Sequence, residues 1–146
     1  MNDQRIDVQR ATTADLGQLG AIDPRLGFEA DRATTVGELL ALGESWIATV
    51  DGRPAGYVLA SRHFFGRPFV DLLVVAEDCR RRGVGAALMA RCEAAHDDDR
   101  LFTSTNESNA PMRALLARAG YEPSGIIQNL DPGDPELVFV KFRPPA

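Results

Sequence analysis

The stretch from Phe69 to Ala90, FVDLLVVAEDCRRRGVGAALMA, contains a strand, a glycine-rich turn and a helix in direct succession. Its first part is an apolar run, which is typical of a strand covered on both faces. Three consecutive arginines follow, together with Gly83 and Gly85. Apolar residues then recur at three- and four-residue spacing, which predicts an amphipathic helix. A strand that ends in such a turn presents backbone N–H groups at a helix N-terminus, and this arrangement favours binding of a phosphate group.

The residue types of this turn suit a pyrophosphate. Glycine lets a ligand approach the backbone, the positive end of the helix dipole points at the turn, and arginine adds full positive charges. Two other nucleotide motifs do not fit. The phosphate loop of nucleoside triphosphatases requires Gly-Lys-Ser or Gly-Lys-Thr, and the dinucleotide fingerprint requires a third small residue where this chain has Leu88. A plain strand-to-helix turn beside a solvated basic cluster is the simpler alternative.

Two segments of the chain resemble the GNAT N-acetyltransferase superfamily. The turn is similar to motif A of that family, in which an Arg or Gln precedes Gly-any-Gly or Gly-any-Ala after an apolar strand end. Here the motif reads Arg80, Gly83 and Gly85. The segment from Asn109 to Tyr121, NAPMRALLARAGY, resembles motif B, in which an Asn begins an apolar-striped helix that closes with Gly-Phe or Gly-Tyr. The agreement spans roughly half of the chain directly, and the flanking segments fit the remaining elements of the family.

The resemblance implies an N-acetyltransferase that transfers acetyl from acetyl-coenzyme A to a small-molecule or peptide amine. It implies direct attack by the amine, with no covalent enzyme intermediate and no metal. The strand end would orient the acetyl carbonyl and pantetheine, the turn would bind the pyrophosphate, and an asparagine would contact pantetheine. The expected cofactor-binding residues are Leu73, Val74, Val75, Arg80, Arg81, Arg82, Gly83, Val84, Gly85, Ala86 and Asn109. The alternative is a catalytically weak acyl-coenzyme A-binding or regulatory module of the same fold.

Asp71 is the candidate general base, because it is a carboxylate on an otherwise apolar strand. In the enzymes that the chain resembles, an acidic residue on this strand often deprotonates the substrate ammonium through water. That residue is commonly two positions earlier, where this chain has Phe69. The two positions share a strand face, since side chains alternate with a period of two. A buried acid that is satisfied by hydrogen bonds, without a catalytic role, is the alternative.

Leu116 marks a departure from the family. Many relatives have a tyrosine at this position that protonates the leaving thiolate, and leucine cannot donate a proton. Either another donor serves, or water protonates a leaving group whose pKa is near that of a free thiol. The other donors that the sequence offers, without support from spacing, are Tyr57, Ser104 and Ser108.

The remaining polar residues favour structural roles. A lone histidine such as His63 is usually a surface or packing residue, and Cys79 has no visible base partner. The aspartates at 97–99 predict a solvated loop after a helix. The Asp-Pro-Gly-Asp-Pro segment predicts a turn, although its acids could instead form a lip that attracts a cationic amine. The acids of this lip would be Asp131, Asp134 and Glu136, with Glu29, Asp31 and Glu38 in addition.

The composition predicts one cytoplasmic, soluble domain over residues 1–146, with a homodimer left open. The chain has 45% hydrophobic and 25% charged residues and is long enough for a hydrophobic core. Its formal net charge of -5 argues against a general nucleic-acid binder, whose phosphate contacts need a basic face. No apolar run approaches the ~18 residues that cross a bilayer, and the first residues lack a signal-peptide core. Two cysteines without a CxxC pair favour neither a zinc site nor a disulfide scaffold.

The periodicities predict an α+β fold around one mixed sheet of about six to seven strands, flanked by about four helices. Asp-Gly at 51–52, between apolar runs, is a strong hairpin signal. The expected helices begin at Thr12 or Thr13, after the loop Asp23 to Ala30, at Gly83 and at Asn109. The expected strands are Arg5 to Arg10, Ser45 to Val50, Ala55 to Phe65, Phe69 to Ala76, Leu101 to Thr105, Ile126 to Leu130 and Leu137 to Phe142. This order of elements is that of the family that the motifs resemble.

Overall fold

The computed structural model describes residues 4–144, which form a seven-stranded mixed sheet and four α-helices. The strands are β1 (Ile6–Arg10), β2 (Ser45–Val50), β3 (Arg53–Phe64), β4 (Arg67–Val75), β5 (Arg100–Asn106), β6 (Glu122–Ile127) and β7 (Glu136–Phe142). The helices are α1 (Leu16–Leu19), α2 (Ala30–Ala41), α3 (Val84–Ala94) and α4 (Ala110–Arg118). The strands are hydrogen-bonded in the order β1-β2-β3-β4-β5-β7-β6, with β4 and β5 parallel. These elements confirm the expected fold class.

The described chain divides into two compact units. The first comprises residues 4–61 and 72–95, and the second comprises residues 62–71 and 96–144. The boundaries fall within β3 and β4, so each of these strands passes from one unit to the other. The expectation of a single domain over residues 1–146 stays a prediction. Within residues 4–144, we find no helix with the length and apolar character needed to cross a membrane.

The core of the first unit forms where α1 and α2 pack on the sheet. Val36, Leu39 and Leu40 form the buried face of α2, as their spacing predicts. Thr12 caps a 3₁₀ turn over Thr13–Asp15, where its Oγ1 accepts a hydrogen bond from Ala14 N at 3.3 Å, and α1 begins only after this turn. The helix is therefore shorter than expected, and it ends at Leu19, where Gly20 follows. The buried residues of this core are Ala11, Leu19, Ile22, Val36, Leu39, Leu40, Ile47, Tyr57, Leu59 and Ala76.

The β2–β3 hairpin has the turn that its sequence predicts. Asp51 and Gly52 both have positive φ angles, 50° and 82°. Two consecutive positive φ values match the twist of the flanking strands in a two-residue hairpin. The Asp51 side chain also accepts a hydrogen bond from Arg5 N at 3.2 Å, which links the turn to β1.

Gly56 of β3 determines how closely α3 packs against the sheet. A Cβ at this position would lie 2.9 Å from Val84 Cγ1, 3.1 Å from Leu88 Cδ1 and 3.0 Å from the backbone oxygen of Val74. These distances are shorter than van der Waals contact, so any larger residue would displace α3. The first turn of α3 is therefore held against β3 and the end of β4.

The last hairpin differs from the expectation. Its first strand, β6, runs over Glu122–Ile127 rather than from Ile126 to Leu130, and it pairs with β7 at the edge of the sheet. All six of its residues are exposed. Periodicity locates a strand by the alternation of buried and exposed residues, and an exposed edge strand lacks that alternation. Leu130 lies beyond the strand and is 60% exposed.

Candidate functional site

The turn between β4 and α3 has an unusual backbone. Gly83 is the N-cap of α3, with φ 85° and ψ 6°, and no side chain caps the helix. Arg81, two residues earlier, has a φ of 65°. A positive φ at a non-glycine residue costs about 1 kcal/mol, and such strain concentrates at binding sites. The first N–H groups of an 11-residue helix are thus left without a side-chain acceptor.

Three consecutive arginines directly precede Gly83 and the start of α3 in the sequence. Arg80, Arg81 and Arg82 are all exposed. In the part of the chain that the structure describes, none of their guanidinium groups forms an ion pair or hydrogen bond. The backbone oxygen of Arg82 accepts a hydrogen bond from Gln4 Nε2 at 3.1 Å, which holds the turn rather than the guanidinium. A compact cluster of positive charge therefore remains open to an anionic ligand.

The end of β4 is less covered than an interior strand usually is. Leu73, Val74 and Val75 are only half-buried, although β4 lies in the middle of the strand order. Strands inside a mixed sheet are normally covered on both faces. The three residues that the resemblance assigns to the acetyl carbonyl and pantetheine are thus partly accessible.

A cavity of about 640 Å³ lies at this end of β4, in the first unit. Its volume is in the range of sites that bind small molecules. One wall of the cavity is formed by the end of β4 and the residues that follow it, and the other wall is formed by the segment between α1 and α2. The residues of the first wall include Val74, Val75, Ala76, Glu77, Asp78 and Arg80, and those of the second include Ile22, Asp23, Arg25, Phe28 and Arg32. Val74, Val75 and Arg80 therefore line one cavity, and their roles in cofactor binding stay predictions.

Asp23 forms a buried cluster with Arg32 and Tyr57. Asp23 is 3% exposed, and its Oδ2 accepts hydrogen bonds from Tyr57 Oη at 2.6 Å and from Arg32 Nε at 2.7 Å. Burial alone would raise the pKa of Asp23, but the Tyr57 and Arg32 hydrogen bonds outweigh burial and lower it. Burial, and then the bond to Asp23, raise the pKa of Tyr57 well above its usual range. Asp23 thus stays ionised, and Tyr57 is a poor proton donor.

Sequence reasoning missed this cluster. Asp23 and Tyr57 are 34 positions apart, on an irregular segment and on β3, so no spacing connects them. Phe28 and Glu77 of the cavity were also missed as site residues. A proline-containing loop that carries charged and aromatic residues was the only local signal.

The candidate catalytic positions fall outside this cavity. Asp71 is half-buried on β4 and belongs to the second unit, whereas the cavity is built from residues of the first. Its role as a base stays a prediction. Leu116 is fully buried in α4. Two of the alternative proton donors are engaged elsewhere, because Ser104 Oγ donates to Glu136 Oε2 and Ser108 Oγ donates to Asp134 Oδ2, both at 2.6 Å.

The acidic turn before β7 is a structural element. Asp134 accepts hydrogen bonds from Ser108, and Asp131 Oδ2 accepts one from Asn106 Nδ2 at 2.8 Å. These bonds join the turn to the β5–α4 loop, which supports the turn reading over an acidic lip. Asn109 begins α4 as expected, since its Oδ1 accepts a hydrogen bond from Met112 N at 3.2 Å.

The two thiols are free and poorly reactive. Burial raises the pKa of the Cys92 thiol to about 12. Burial and a contact with Asp78 also raise the pKa of Cys79, which packs against the core of the first unit. A thiol with a raised pKa carries little thiolate at neutral pH. The structural role expected for Cys79 is consistent with these surroundings.

The expectation of a solvated loop at residues 97–99 was wrong for Asp98. Its side chain is only 18% exposed and accepts a hydrogen bond from Arg67 Nη1 at 3.0 Å. Asp99 is exposed, and its hydrogen bonds with Arg100 lower its pKa. The sequence does not reveal the pairing because Arg67 is 31 positions away.

His63 lies at the exposed end of β3.

Comparisons with known proteins relate this chain to acetyltransferases. The model of the acetyltransferase (GNAT) family matches residues 18–121. An uncharacterised N-acetyltransferase of Methanocaldococcus jannaschii is 26% identical over 106 residues, which cover 69% of this chain and 67% of that protein. A crystal structure of a GNAT-family acetyltransferase from Bacillus cereus has a TM-score of 0.88 and 29% identity, over 97% of this chain and 99% of that chain.

The diaminobutyrate acetyltransferase EctA of Paenibacillus lautus, solved with its substrate and coenzyme A, has a TM-score of 0.74 over 94% of each chain. At 18% identity, this likeness shows the fold alone. The family model covers more than two thirds of the 146 residues, including both segments that resemble its motifs. The protein therefore belongs to the acetyltransferase (GNAT) family.

Proposed function

We propose that this protein is an acetyl-coenzyme A-dependent N-acetyltransferase that acetylates a primary amine by direct attack. The observation that carries the proposal is the turn before α3, where an uncapped helix N-terminus meets three arginines that have no ion-pair partner among residues 4–144. This combination suits a pyrophosphate better than a single carboxylate. Family membership supports the same reading.

The residues present fit acetyl-coenzyme A. Gly83 has the left-handed conformation, and among residues 4–144 a Cβ built on it would contact only Ile6 Cδ1 at 4.0 Å, so space for a ligand lies beside the turn. The N–H groups of 81–86 would bind the pyrophosphate, and Arg80 and Arg82 would add charge. Acetyl-coenzyme A would supply a thioester, so that a C–N bond forms as the C–S bond breaks and the amine proton ends on the released thiol.

Direct attack of the amine on the thioester is supported by the raised pKa values of the two cysteine thiols. An enzyme that passes acetyl through its own thiol needs a thiolate at neutral pH. The pKa of Cys92 is raised to about 12 by burial, and that of Cys79 is raised as well. The half-buried end of β4 would instead hold the donor beside the cavity in which the amine binds. Asp71 remains the proposed base, acting through water.

Leu116 favours a second candidate function, a catalytically weak acyl-coenzyme A-binding or regulatory module. This residue is fully buried, and a leucine cannot donate a proton, so position 116 supplies none to a thiolate. The two candidates differ in one measurement. Release of free thiol from acetyl-coenzyme A that depends on added amine supports the enzyme, and tight cofactor binding without such release supports the module.

The cofactor site is tested by Gly85→Glu. Gly85 is buried in the first turn of α3, so a glutamate there would add a negative charge beside the N–H groups proposed to bind the pyrophosphate. In a folded variant, calorimetry should detect no binding of acetyl-coenzyme A. Gly17→Glu, at an exposed position of α1 with nothing described within 4 Å of its Cβ, controls for the added charge. Unchanged affinity in a folded Gly85→Glu variant would remove the basis of the proposal.

A cytoplasmic location and a homodimer stay predictions, and sedimentation velocity checks the latter.

A further inference from the structure

The cavity beside β4 carries two arginines on its α1–α2 wall, and both are already paired. Arg32 Nε lies 2.7 Å from Asp23 Oδ2, and Arg25 Nε lies 3.0 Å from Glu29 Oε2. The Asp23–Arg32 pair is buried, with side-chain exposures of 4% and 17%. Because the pKa of Asp23 is lowered, this carboxylate stays charged and keeps Arg32 neutralised. A carboxylate on a ligand would have to compete with these internal partners.

Three other charged residues line the cavity, of which Glu77 and Asp78 are negative and Arg80 is positive. Glu77 follows β4 directly and is exposed, and it forms no ion pair within residues 4–144. The nearest cation to Asp78 is Arg53 Nη2 at 3.7 Å, and both side chains are mostly exposed, so this pair is weak. Arg80 is the remaining cation of the lining and belongs to the pyrophosphate turn. Once Arg80 is assigned to the pyrophosphate, the acidic side chains of Glu77 and Asp78 favour a cation at the end of β4.

The other feature of the cavity is an exposed aromatic ring. Phe28 lines the cavity although it is 74% exposed. Ile22, Val74 and Ala76 extend the apolar surface along both walls. Large apolar side chains exposed at a cavity are characteristic of ligand sites, and an aromatic ring gains further from contact with another ring.

We infer that the acceptor is a small primary amine with an apolar, preferably aromatic, body and no carboxylate. Its ammonium is attracted by Glu77 at the end of β4, where the acetyl carbonyl is expected, and its body packs against Phe28. Arg32 is held by the buried Asp23, and Arg25 is shared with Glu29 in a more exposed pair, so an amino-acid carboxylate would have to displace an internal partner at either arginine. This inference rests on the proposed acetyltransferase activity and specifies the substrate class of the same site.

The test compares three amines that differ by one group each. Thiol release from acetyl-coenzyme A is measured with 2-phenylethylamine, with phenylalanine, which adds a carboxylate, and with ethylamine, which lacks the ring. We expect kcat/KM for 2-phenylethylamine to exceed each of the others by about tenfold or more, the usual size of such pocket discrimination. Phenylalanine or ethylamine accepted as well as 2-phenylethylamine overturns the inference and leaves the proposed function standing. Absence of thiol release with every amine overturns both.

Two variants assign the selectivity to residues. Phe28→Ala should lower the ratio of kcat/KM for 2-phenylethylamine over ethylamine by about tenfold. Phe65→Ala is the matched control, since Phe65 is 90% exposed and does not line the cavity, and it should keep the parental ratio. Truncation of an exposed ring leaves the core intact, so both variants should fold. An unchanged ratio in Phe28→Ala contradicts the inference.

Glu77→Gln tests the attraction of the ammonium. It should raise KM for 2-phenylethylamine and weaken the dependence of KM on salt, because one screened charge pair is lost. The affinity for acetyl-coenzyme A should stay at the parental value. Glu122→Gln, which removes an exposed carboxylate from β6, is the control and should change neither quantity. A KM that is identical in Glu77→Gln and the parent contradicts this role of Glu77.

Discussion

At the scale of single residues, Asp23 shows how a buried charge is stabilised. Its carboxylate accepts two short hydrogen bonds, one of them from a guanidinium. An isolated carboxylate would not remain ionised in such a place, and a paired one does. The lowered pKa of Asp23 makes it a structural anion that orients Arg32 and Tyr57 rather than a base for the reaction.

This charge predicts a pH dependence of stability. The pKa of Asp23 in the folded protein lies below its ordinary value of 3.8, so near and below that value the unfolded chain binds more protons than the folded one. The stabilisation is fully present above pH 3.8 and is lost as the pH falls through the folded pKa. We expect Asp23→Asn to lower the free energy of unfolding by about 3 kcal/mol at neutral pH, since it leaves Arg32 unpaired. The deficit should shrink in acid.

Urea unfolding at a series of pH values checks this prediction. Glu38→Gln, which removes an exposed carboxylate, should show the parental pH dependence. A deficit in Asp23→Asn that is equal at all pH values would show that Asp23 is not charged in the folded protein.

Asp71 carries a second prediction at this scale. If Asp71 is the base, Asp71→Asn should lower kcat by about 10²-fold, the typical contribution of general-base catalysis. The affinity for acetyl-coenzyme A, measured by calorimetry, should remain close to that of the parent. A loss of stability that parallels the loss of activity would instead indicate a structural acid.

At the scale of elements, α3 packs closely on β3 because one residue of the strand is a glycine and has no side chain. Gly56 allows Val84 and Leu88 to approach the backbone of β3 closely. The N-terminus of α3 is thereby fixed at the end of β4, where the cofactor is expected. A small residue in a strand is otherwise unfavourable, so its position here indicates close approach of another element.

Two glycine substitutions separate packing from backbone freedom. Gly56→Ala should lower the free energy of unfolding by about 1 to 3 kcal/mol and weaken acetyl-coenzyme A binding, because the new Cβ overlaps α3. Gly37→Ala should raise the free energy of unfolding by about 0.5 to 1 kcal/mol, because Gly37 lies inside α2 with nothing within 4 Å of its Cβ position. Thermal unfolding and calorimetry check both. Equal effects of the two changes would contradict the contacts described for Gly56.

At the scale of the whole molecule, the charge distribution is uneven. The formal net charge is -5, yet three adjacent arginines without ion pairs in residues 4–144 lie at the start of α3. An acidic protein repels an anionic cofactor at long range, so the proposed binding of acetyl-coenzyme A would rely on these three arginines and on the helix N-terminus. Such binding is weakened by salt, since the arginines are exposed.

The salt dependence of binding tests this distribution. We expect the affinity for acetyl-coenzyme A to fall as ionic strength rises, and Arg82→Gln to bind more weakly with a shallower dependence on salt. Binding should persist in the variant, because the backbone N–H groups remain. Arg118→Gln removes an exposed arginine from α4 and should follow the parent. A steep salt dependence that survives in Arg82→Gln would place the interaction elsewhere.

The sequence by itself determined the fold class, the element order and the turn before α3. Each of these depends on residues that are close in the chain: the apolar run of β4, the glycines at 83 and 85, and the Asn that caps α4. Local spacing reports contacts within one element or between chain neighbours. The edge strand β6 was misplaced because it is exposed throughout and lacks that periodicity.

Only the tertiary structure decided which distant residues meet. It brought Asp23, Arg32 and Tyr57 together, paired Arg67 with Asp98, and joined the acidic turn to Ser104, Asn106 and Ser108. It also placed Phe28 and Glu77 on one cavity with the end of β4. Such contacts are set by how helices and loops pack on the sheet, and no pattern along the chain encodes them. The turn that we expect to bind the cofactor was therefore predicted from local motifs, whereas the residues that line the cavity could be identified only in the folded chain.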